Sequence, residues 1–408
     1  MSFFLIAEPK KPEEPIINTF SINITIYSKI YNDIVKYKTQ EIIYFFYPGR
    51  AERLSFVNEI SQEFFYSYLE TKNIFKNTRL VEVSTVKNSF QKIMKFYDKV
   101  IFKLTRLQSD SEKYCDKKFS YYFKSKNVLV FTNFALGFSA IPFLLRNYFF
   151  NKRKVLVINS GLFSFRKASY FQKFFREIYL RLFFVLITNL IFTSKTEYEF
   201  ACLNYKFYKN KFVLNEFCPD VSFWTKKNSL VKEPRKNILF VGNDEGRYFE
   251  ILEPLAKKLI EYQFIFVSNN EIVTRIKLPN VKVFSAKWHS NDLSDFELQK
   301  IYQESIITIL PIKNNLVASG QSVALQSMCN KTPVLITDTI GFWNKDLFLN
   351  KENILFVKDN TLASWEKQIL FAINNENLLE KIKNNAFNLV TKKYTKNIFD
   401  EQFIKLLN

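Results

Sequence analysis

The 408-residue chain has only seven glycines, four cysteines and one histidine. Cys115, Cys202, Cys218 and Cys329 stand far apart with no C-x-x-C pair, which argues against zinc and a disulfide framework and for a reducing compartment. A single histidine, His289, rules out ligation by histidine clusters and leaves only carboxylates for a hard metal. No G-x-S-x-G segment accompanies it, so Ser-His-Asp hydrolase chemistry has no support. Neither G-x-G-x-x-G nor G-x-x-x-x-G-K-[ST] occurs, which removes the dinucleotide fingerprint and the P-loop. The longest apolar windows, around 138–150 and 180–192, run about 13 residues and contain arginine or asparagine, short of the roughly 20 that span a bilayer. The start, MSFFLIAEPKKPEEP, does not read as a signal peptide. The expectation from these absences is a cytoplasmic protein, soluble or peripheral on the cytoplasmic face of a membrane.

What is present points to a folded protein of two cores. Hydrophobic residues make up 47% and aromatics 17% of the chain, which excludes dominant disorder, and 408 residues exceed one ordinary core. The net charge of +20 is unevenly spread: residues 99–230 hold 23 basic and 8 acidic residues, an excess of +15. An electropositive face of that size attracts anionic lipid head groups, phosphorylated acceptors or nucleic acid. The expectation is an anionic membrane surface met through 99–230. No nucleic acid is expected, because no aromatic-basic platform or reading helix is evident.

Apolar, β-branched and aromatic runs alternate with helix-period segments through most of the chain, the signature of an α/β fold. In the first half the strands are read at 42–47, 80–83, 128–131, 155–158, 190–192 and 211–214, with helices at 52–71, 89–107, 167–187 and 195–203. After the polar stretch KKNSLVKEPRK the pattern restarts, with strands at 238–241, 264–267, 281–284, 306–310, 334–336 and 354–357 and helices at 362–374 and 377–389. This divides the chain into an N-terminal extension (1–40), a first domain (41–225), a linker (226–236), a second domain (237–390) and a last helix (391–408) packing back on the first domain. All seven glycines fall in loops that follow strands, where a missing Cβ lets backbone amides approach a phosphate.

Residues 302–343 are the most informative. A buried strand ends at Pro311, a polar loop follows, and Ala318-Ser319-Gly320-Gln321-Ser322 opens a helix whose free amides suit a diphosphate. Together with Leu325-Gln326-Ser327-Met328 and Lys331-Thr332-Pro333-Val334, this segment resembles the retaining, family-4-type glycosyltransferases (glycosyl transferases group 1) of the GT-B fold. The resemblance implies two Rossmann-like domains with parallel sheets facing a central cleft. The implied reaction moves a hexose from a nucleoside diphosphate sugar to a hydroxyl of a glycan or lipid-linked acceptor. Retention, no cofactor, no metal, and a place in cell-surface polysaccharide or glycolipid synthesis are implied with it.

The resemblance also implies site residues. Amides near Gly320 and Gln321 hold the diphosphate, and Gln326, where most such enzymes have glutamate, faces the ribose. Gly242, Asn243, Gly246 and Arg247 look like the family's first loop of the second domain, in which Arg247 neutralises the departing diphosphate. Lys313, just past a strand end, is a second candidate cation. His289 lies where the family places residues beside the nucleobase, and Gly49-Arg50 resembles the glycine loop facing the donor across the cleft. Asn133, Ser160 and Gly161 end strands on the acceptor side. Ala318 and Gln326, both departures from the family's acids, leave open a catalytically silent GT-B protein that binds a sugar nucleotide or a partner. A nucleic-acid-binding α/β protein is the further alternative.

Overall fold

A computed structural model describes residues 41–85, 87–124, 127–148, 153–163, 167–227, 237–285 and 293–407. Residues 1–40, most of the 226–236 segment and the Lys287–Ser290 loop with His289 lie outside the described residues.

Two parallel sheets organise the chain. The first comprises β1 (Ile42–Phe46), β2 (Thr78–Glu82), β3 (Val128–Phe131), β4 (Val155–Asn159), β5 (Asn189–Phe192) and β6 (Phe212–Leu214), in the order β2-β1-β3-β4-β5-β6. The second comprises β7 (Asn237–Val241), β8 (Gln263–Val267), β9 (Val281–Phe284), β10 (Ser305–Leu310), β11 (Val334–Thr337) and β12 (Leu355–Val357), in the order β12-β11-β10-β7-β8-β9. Helices cover both faces of each sheet, and for that reason the strands read as unbroken apolar runs: all five residues of β1 are buried. The two-residue period still sorts them. Ile42, Tyr44 and Phe46 join the core cluster shared with Leu310, Trp343 and Phe403, whereas Ile43 and Phe45 join a second cluster with Leu129, Phe131 and Leu180. The shared cluster runs from one sheet to the other, so the two halves are packed together through a continuous apolar layer.

The final helix, Lys396–Leu407, lies on the first half: Phe403 meets Tyr44 at 6.0 Å between ring centroids, Ser67 Oγ donates to Asp400 Oδ1 at 2.6 Å, and Asn215 Nδ2 donates to the Phe399 carbonyl at 3.0 Å. No helix among the described residues is long and apolar enough to cross a membrane.

One element departs from the sequence reading. The helix expected over 52–71 is broken into Arg50–Ser55, a 3-10 turn at Glu63–Phe65, and Tyr68–Ile74. Asp295, from the second half, accepts hydrogen bonds from Ser61 N (2.9 Å) and Ser61 Oγ (2.7 Å), and Asp220 accepts from Gln62 N at 3.1 Å. These bonds hold the backbone out of helix, and Tyr66 and Ser67 complete the break in left-handed geometry, at φ 48° and 64°. Tertiary contacts override local periodicity there.

Candidate functional site

In an open parallel sheet, ligands gather at the carboxyl ends of the strands where the strand order reverses. That point in the second sheet lies between β7 and β10. The loop leaving β7 is fixed on both sides. Asn243 Oδ1 accepts from Ser268 Oγ (3.1 Å) and from Asn269 N (2.7 Å), tying it to the turn after β8. Arg247 then bridges antiparallel to Ile312, Tyr248 N donates to the Pro311 carbonyl (2.8 Å), and Lys313 N donates to the Gly246 carbonyl (2.8 Å), tying it to the segment after β10.

This double anchoring buries the Arg247 side chain. Its Nε is 3.1 Å from Asp244 Oδ2, yet neither Nε nor Nη1 makes a well-directed hydrogen bond to any described residue. Glycines make room for it. A Cβ on Gly242 would fall 2.4 Å from Nε, and one on Gly320 would fall 2.6 Å from Nη1. Gly320, at φ 88°, is also the N-cap of the helix Gln321–Cys329, a conformation that costs an L side chain about 1–2 kcal/mol. The two loops close on each other a third time at Gly246, whose Cβ would fall 2.0 Å from Ser319 Oγ. A buried guanidinium with donors to spare, set at a helix N-terminus, is equipped to hold an anion.

Two cavities meet at this loop. The first, about 390 Å³, is lined by Gly242, Asn243, Asp244, Arg247, Ser322, Val323 and Gln326 from the second half and by Arg50, Arg53, Phe64 and Tyr66 from the first. Arg50 sits over the Phe64 ring at 5.6 Å, and burial pulls its guanidinium down to about 10, still protonated at neutral pH. Arginines from the two halves therefore line one space. The second cavity, about 560 Å³, is lined by Tyr47, Gln108, Phe134, Ser160 and Gly161 from the first half and by Asp244, Gly246, Asn315 and Ser319 from the second. Asp244 belongs to both, so the 242–247 loop is the partition between them.

Of the residues singled out from sequence, Arg50, Gly242, Asn243, Arg247, Ser322 and Gln326 come together in the first cavity, and Gly246, Ser319, Ser160 and Gly161 in the second. Gly320 abuts Arg247 from behind. Gly49, at φ 98°, caps the helix that carries Arg50 and lines neither cavity. Gln321 is buried, and its Nε2 donates to the Thr193 carbonyl at 2.9 Å, joining the two halves. Asn133 caps the helix Phe134–Ser139, its Oδ1 accepting from Ala135 N. Lys313 is not brought in: its backbone is held by Gly246, and its side chain is exposed outside both cavities.

Gln326 holds the main difference from the sequence reading. Its carboxamide is engaged within the protein: Nε2 donates to Glu63 Oε1 at 2.8 Å, and Oε1 accepts from Tyr302 OH at 3.3 Å. Glu63, from the first half, also accepts from Trp224 Nε1 (2.9 Å, at Oε1) and Asp220 N (3.3 Å, at Oε2). Burial pushes its carboxyl up to about 7, against the opposing pull of the hydrogen bonds from Gln326 and Trp224. A carboxyl group from another part of the chain, buried and outside the lining of both cavities, thus lies at hydrogen-bond distance from Gln326. Nothing in the sequence marks Glu63, which lies in a segment that reads as ordinary helix.

Two more carboxylates escaped the sequence reading. Asp295 accepts from Arg53 Nη2 at 2.6 Å beside the first cavity. Glu197 is fully buried, accepts from Gly161 N at 3.1 Å and so holds the loop that walls the second cavity; burial pushes it up to about 7. The pattern Ser194-x-x-Glu197 announces a helix start, and Ser194 does accept from Glu197 N, but only the fold turns that glutamate toward Gly161.

No protein-family model matches the sequence, and no curated protein matches it. Solved structures do. A sucrose-phosphate synthase from Thermosynechococcus elongatus superposes with a TM-score of 0.65 at 12% identity, over 90% of this chain and 98% of that one. HepE of Anabaena, solved in complex with UDP and glucose, gives 0.62 at 11% identity, over 90% and 99%. A glycosyltransferase from Rickettsia africae gives 0.57 at 14%, over 90% and 98%. The fold is GT-B. In a GT-B frame the two cavities occupy the cleft between the Rossmann-like halves, with the 242–247 loop of the second half reaching between them.

Proposed function

We propose that the chain is a nucleotide-sugar-dependent hexosyltransferase that works on a hydroxyl of a glycan or lipid-linked acceptor, with retention, in cell-surface polysaccharide or glycolipid synthesis. The observation that carries the reading is Arg247, a buried guanidinium with two nitrogens unsatisfied by any described residue, at the wall between two cavities. HepE, which shares the fold, has been solved with UDP-glucose. In this reading the donor occupies the first cavity with its diphosphate against Arg247 and the start of the helix Gln321–Cys329, and Arg50 adds positive charge from the opposite half. The bond from the anomeric carbon to the phosphate oxygen breaks with its electron pair leaving on the diphosphate. The acceptor oxygen, reaching from the second cavity, bonds to the same carbon and gives up its proton to the departing diphosphate oxygen. What the protein contributes is orientation across the 242–247 loop and compensation of the developing negative charge. No metal is assigned a part, and turnover is expected to persist in EDTA.

The decisive experiment measures donor consumption and transfer with UDP-, GDP- and ADP-hexoses for the wild type and Arg247→Ala. The expected result is a fall in kcat of about 10²–10³, with the melting temperature maintained. An Arg247→Ala enzyme of undiminished rate removes the assignment. A silent sugar-nucleotide-binding protein is the second reading, favoured by Gln326, whose amide is committed to Glu63 and Tyr302. It predicts a donor-induced thermal shift with no turnover from any of the three donors.

A further inference from the structure

The helices Ser89–Thr105 and Tyr170–Leu186 lie side by side on the outside of the first half. Gln172 Nε2 donates to the Lys103 carbonyl at 2.9 Å, and the Tyr97 and Tyr179 hydroxyls bond to each other, so the two run antiparallel. Each is amphipathic twice over. One side, with Ile101 and Thr105 on the first helix and Leu180, Phe183 and Phe184 on the second, is buried in the protein. The opposite side is also apolar, and it faces outward. On the first helix Ile93, Phe96 and Val100 are exposed, and on the second Phe171, Phe174, Ile178 and Val185 are. At 100° per residue each set falls on one stripe. Phe96 is 69% exposed, and Phe171 and Phe174 are 61% and 62% exposed. Lys92, Lys99 and Lys103 project immediately beside the first stripe at the same helical spacing.

An apolar band that no described residue covers, edged by lysines, has a definite chemical complement: apolar material under a negatively charged surface, which is what an anionic bilayer presents. We propose that this two-helix face docks on an anionic membrane, with the phenylalanines entering the head-group boundary and the lysines meeting lipid phosphates. The favoured partner follows from charge. The apolar stripe alone would suit a second copy of the chain, but a second copy would bring the same lysines against these. Docking does not depend on the transferase reading. If that reading holds, however, the face is well placed to serve it, since Arg106, Leu107 and Gln108, directly after the first helix, line the second cavity.

The test is co-sedimentation of the full chain, without donor, on vesicles of phosphatidylcholine alone and of phosphatidylcholine with 30% phosphatidylglycerol (about one anionic lipid in three). Binding is expected on the anionic vesicles only, and it should weaken in 0.5 M salt, where the screening length is shorter than the roughly 8 Å of physiological ionic strength. Lys99→Gln with Lys103→Gln should lower the partition coefficient about fivefold per lysine. Phe174→Ser with Ile178→Ser should lower it further, while Ile260→Ser, an exposed apolar residue in the second half, should leave it unchanged. Far-UV circular dichroism and light scattering accompany each variant. Three results overturn the proposal: no binding by the wild type, equal binding to neutral vesicles, or a wild-type dimer that the Phe174/Ile178 variant makes monomeric, which would assign the face to a second copy. Because the readout is partition, its failure leaves the Arg247 rate test untouched.

Discussion

Each sheet has one place where its strand order reverses, between β1 and β3 in the first and between β7 and β10 in the second, and the two are furnished differently. At the second, Gly242, Gly320 and a helix N-terminus enclose a buried arginine. At the first, the loop after β1 contributes Tyr47 and the segment after β3 contributes Phe134 and Ala135 to a cavity whose other walls include Ser160 and Gly161. One crevice is lined by Arg50, Arg53 and Arg247 against Asp244 and Asp295, an excess of positive charge, and the other by Arg106 against Asp110, Asp244 and Glu245, an excess of negative charge. In the proposed reading, that difference sets the departing diphosphate in the basic crevice and the acceptor hydroxyl in the acidic one, and so gives two nearly parallel architectures distinct roles.

The comparison breaks most directly if the second cavity is filled. Ser160→Trp places an indole where the acceptor is proposed to sit and should reduce transfer about 100-fold, on the scale of misplacing a reactant. Donor binding, followed as the UDP-induced thermal shift, should be unchanged. Loss of both together would show that the cavities do not divide the substrates as assigned.

Glu63 links the halves and offers a stability measurement. Its carboxyl titrates near 7 in the fold and near 4.3 in an unfolded chain. Below about 4.3 both states hold the proton. As pH rises toward 7 the unfolded chain releases it while the folded protein retains it, so the Glu63 contribution to stability falls with rising pH and levels off above 7. Glu63→Gln has no such titration. Urea unfolding at pH 5, 6, 7 and 8 should show wild-type stability declining relative to the variant by on the order of 2 kcal/mol across that window. Glu197, pushed to about 7 as well, titrates in both proteins and cancels in the difference. Parallel curves would mean that Glu63 is ionised in the fold.

Gly320→Ala sharpens the second crevice on its own. The substitution forces an L residue to φ 88° and pushes a Cβ against Arg247 Nη1, so a stability loss of about 1–2 kcal/mol is expected, together with weaker UDP binding by thermal shift. A stable variant with unaltered nucleotide affinity would separate the glycine from the arginine it appears beside in space.

The sheet architecture and one side of the site were legible in sequence, because apolar runs of strand length and glycines after strand ends are local signals. β3 and β9 begin and end where the periodicity puts them. The segments around Gly242 and Gly320 were found because a backbone that must approach another chain segment or a phosphate shows it in its residue types. Glu63, Asp295 and Glu197 were not found, since their importance rests on burial and on partners 263, 242 and 36 residues away. No local pattern encodes such distances. The break of the 52–71 helix has the same origin, as Asp295 captures Ser61 from across the cleft.

Lys313 measures how far a positional argument reaches without the fold. It follows a strand end, where loop residues often meet a phosphate, but just beyond that end Ile312 is held in a bridge to Arg247, and the lysine next to it is exposed. Arg50 and Arg53 are the cations that the geometry brings to the first cavity beside Arg247, and Arg53 is paired with Asp295. Lys313→Ala should therefore change turnover by less than about twofold, the range of an exposed substitution away from special features, whereas Arg50→Ala should raise the donor KM. A tenfold loss in Lys313→Ala would instead mean that the loop turns inward once the donor is bound.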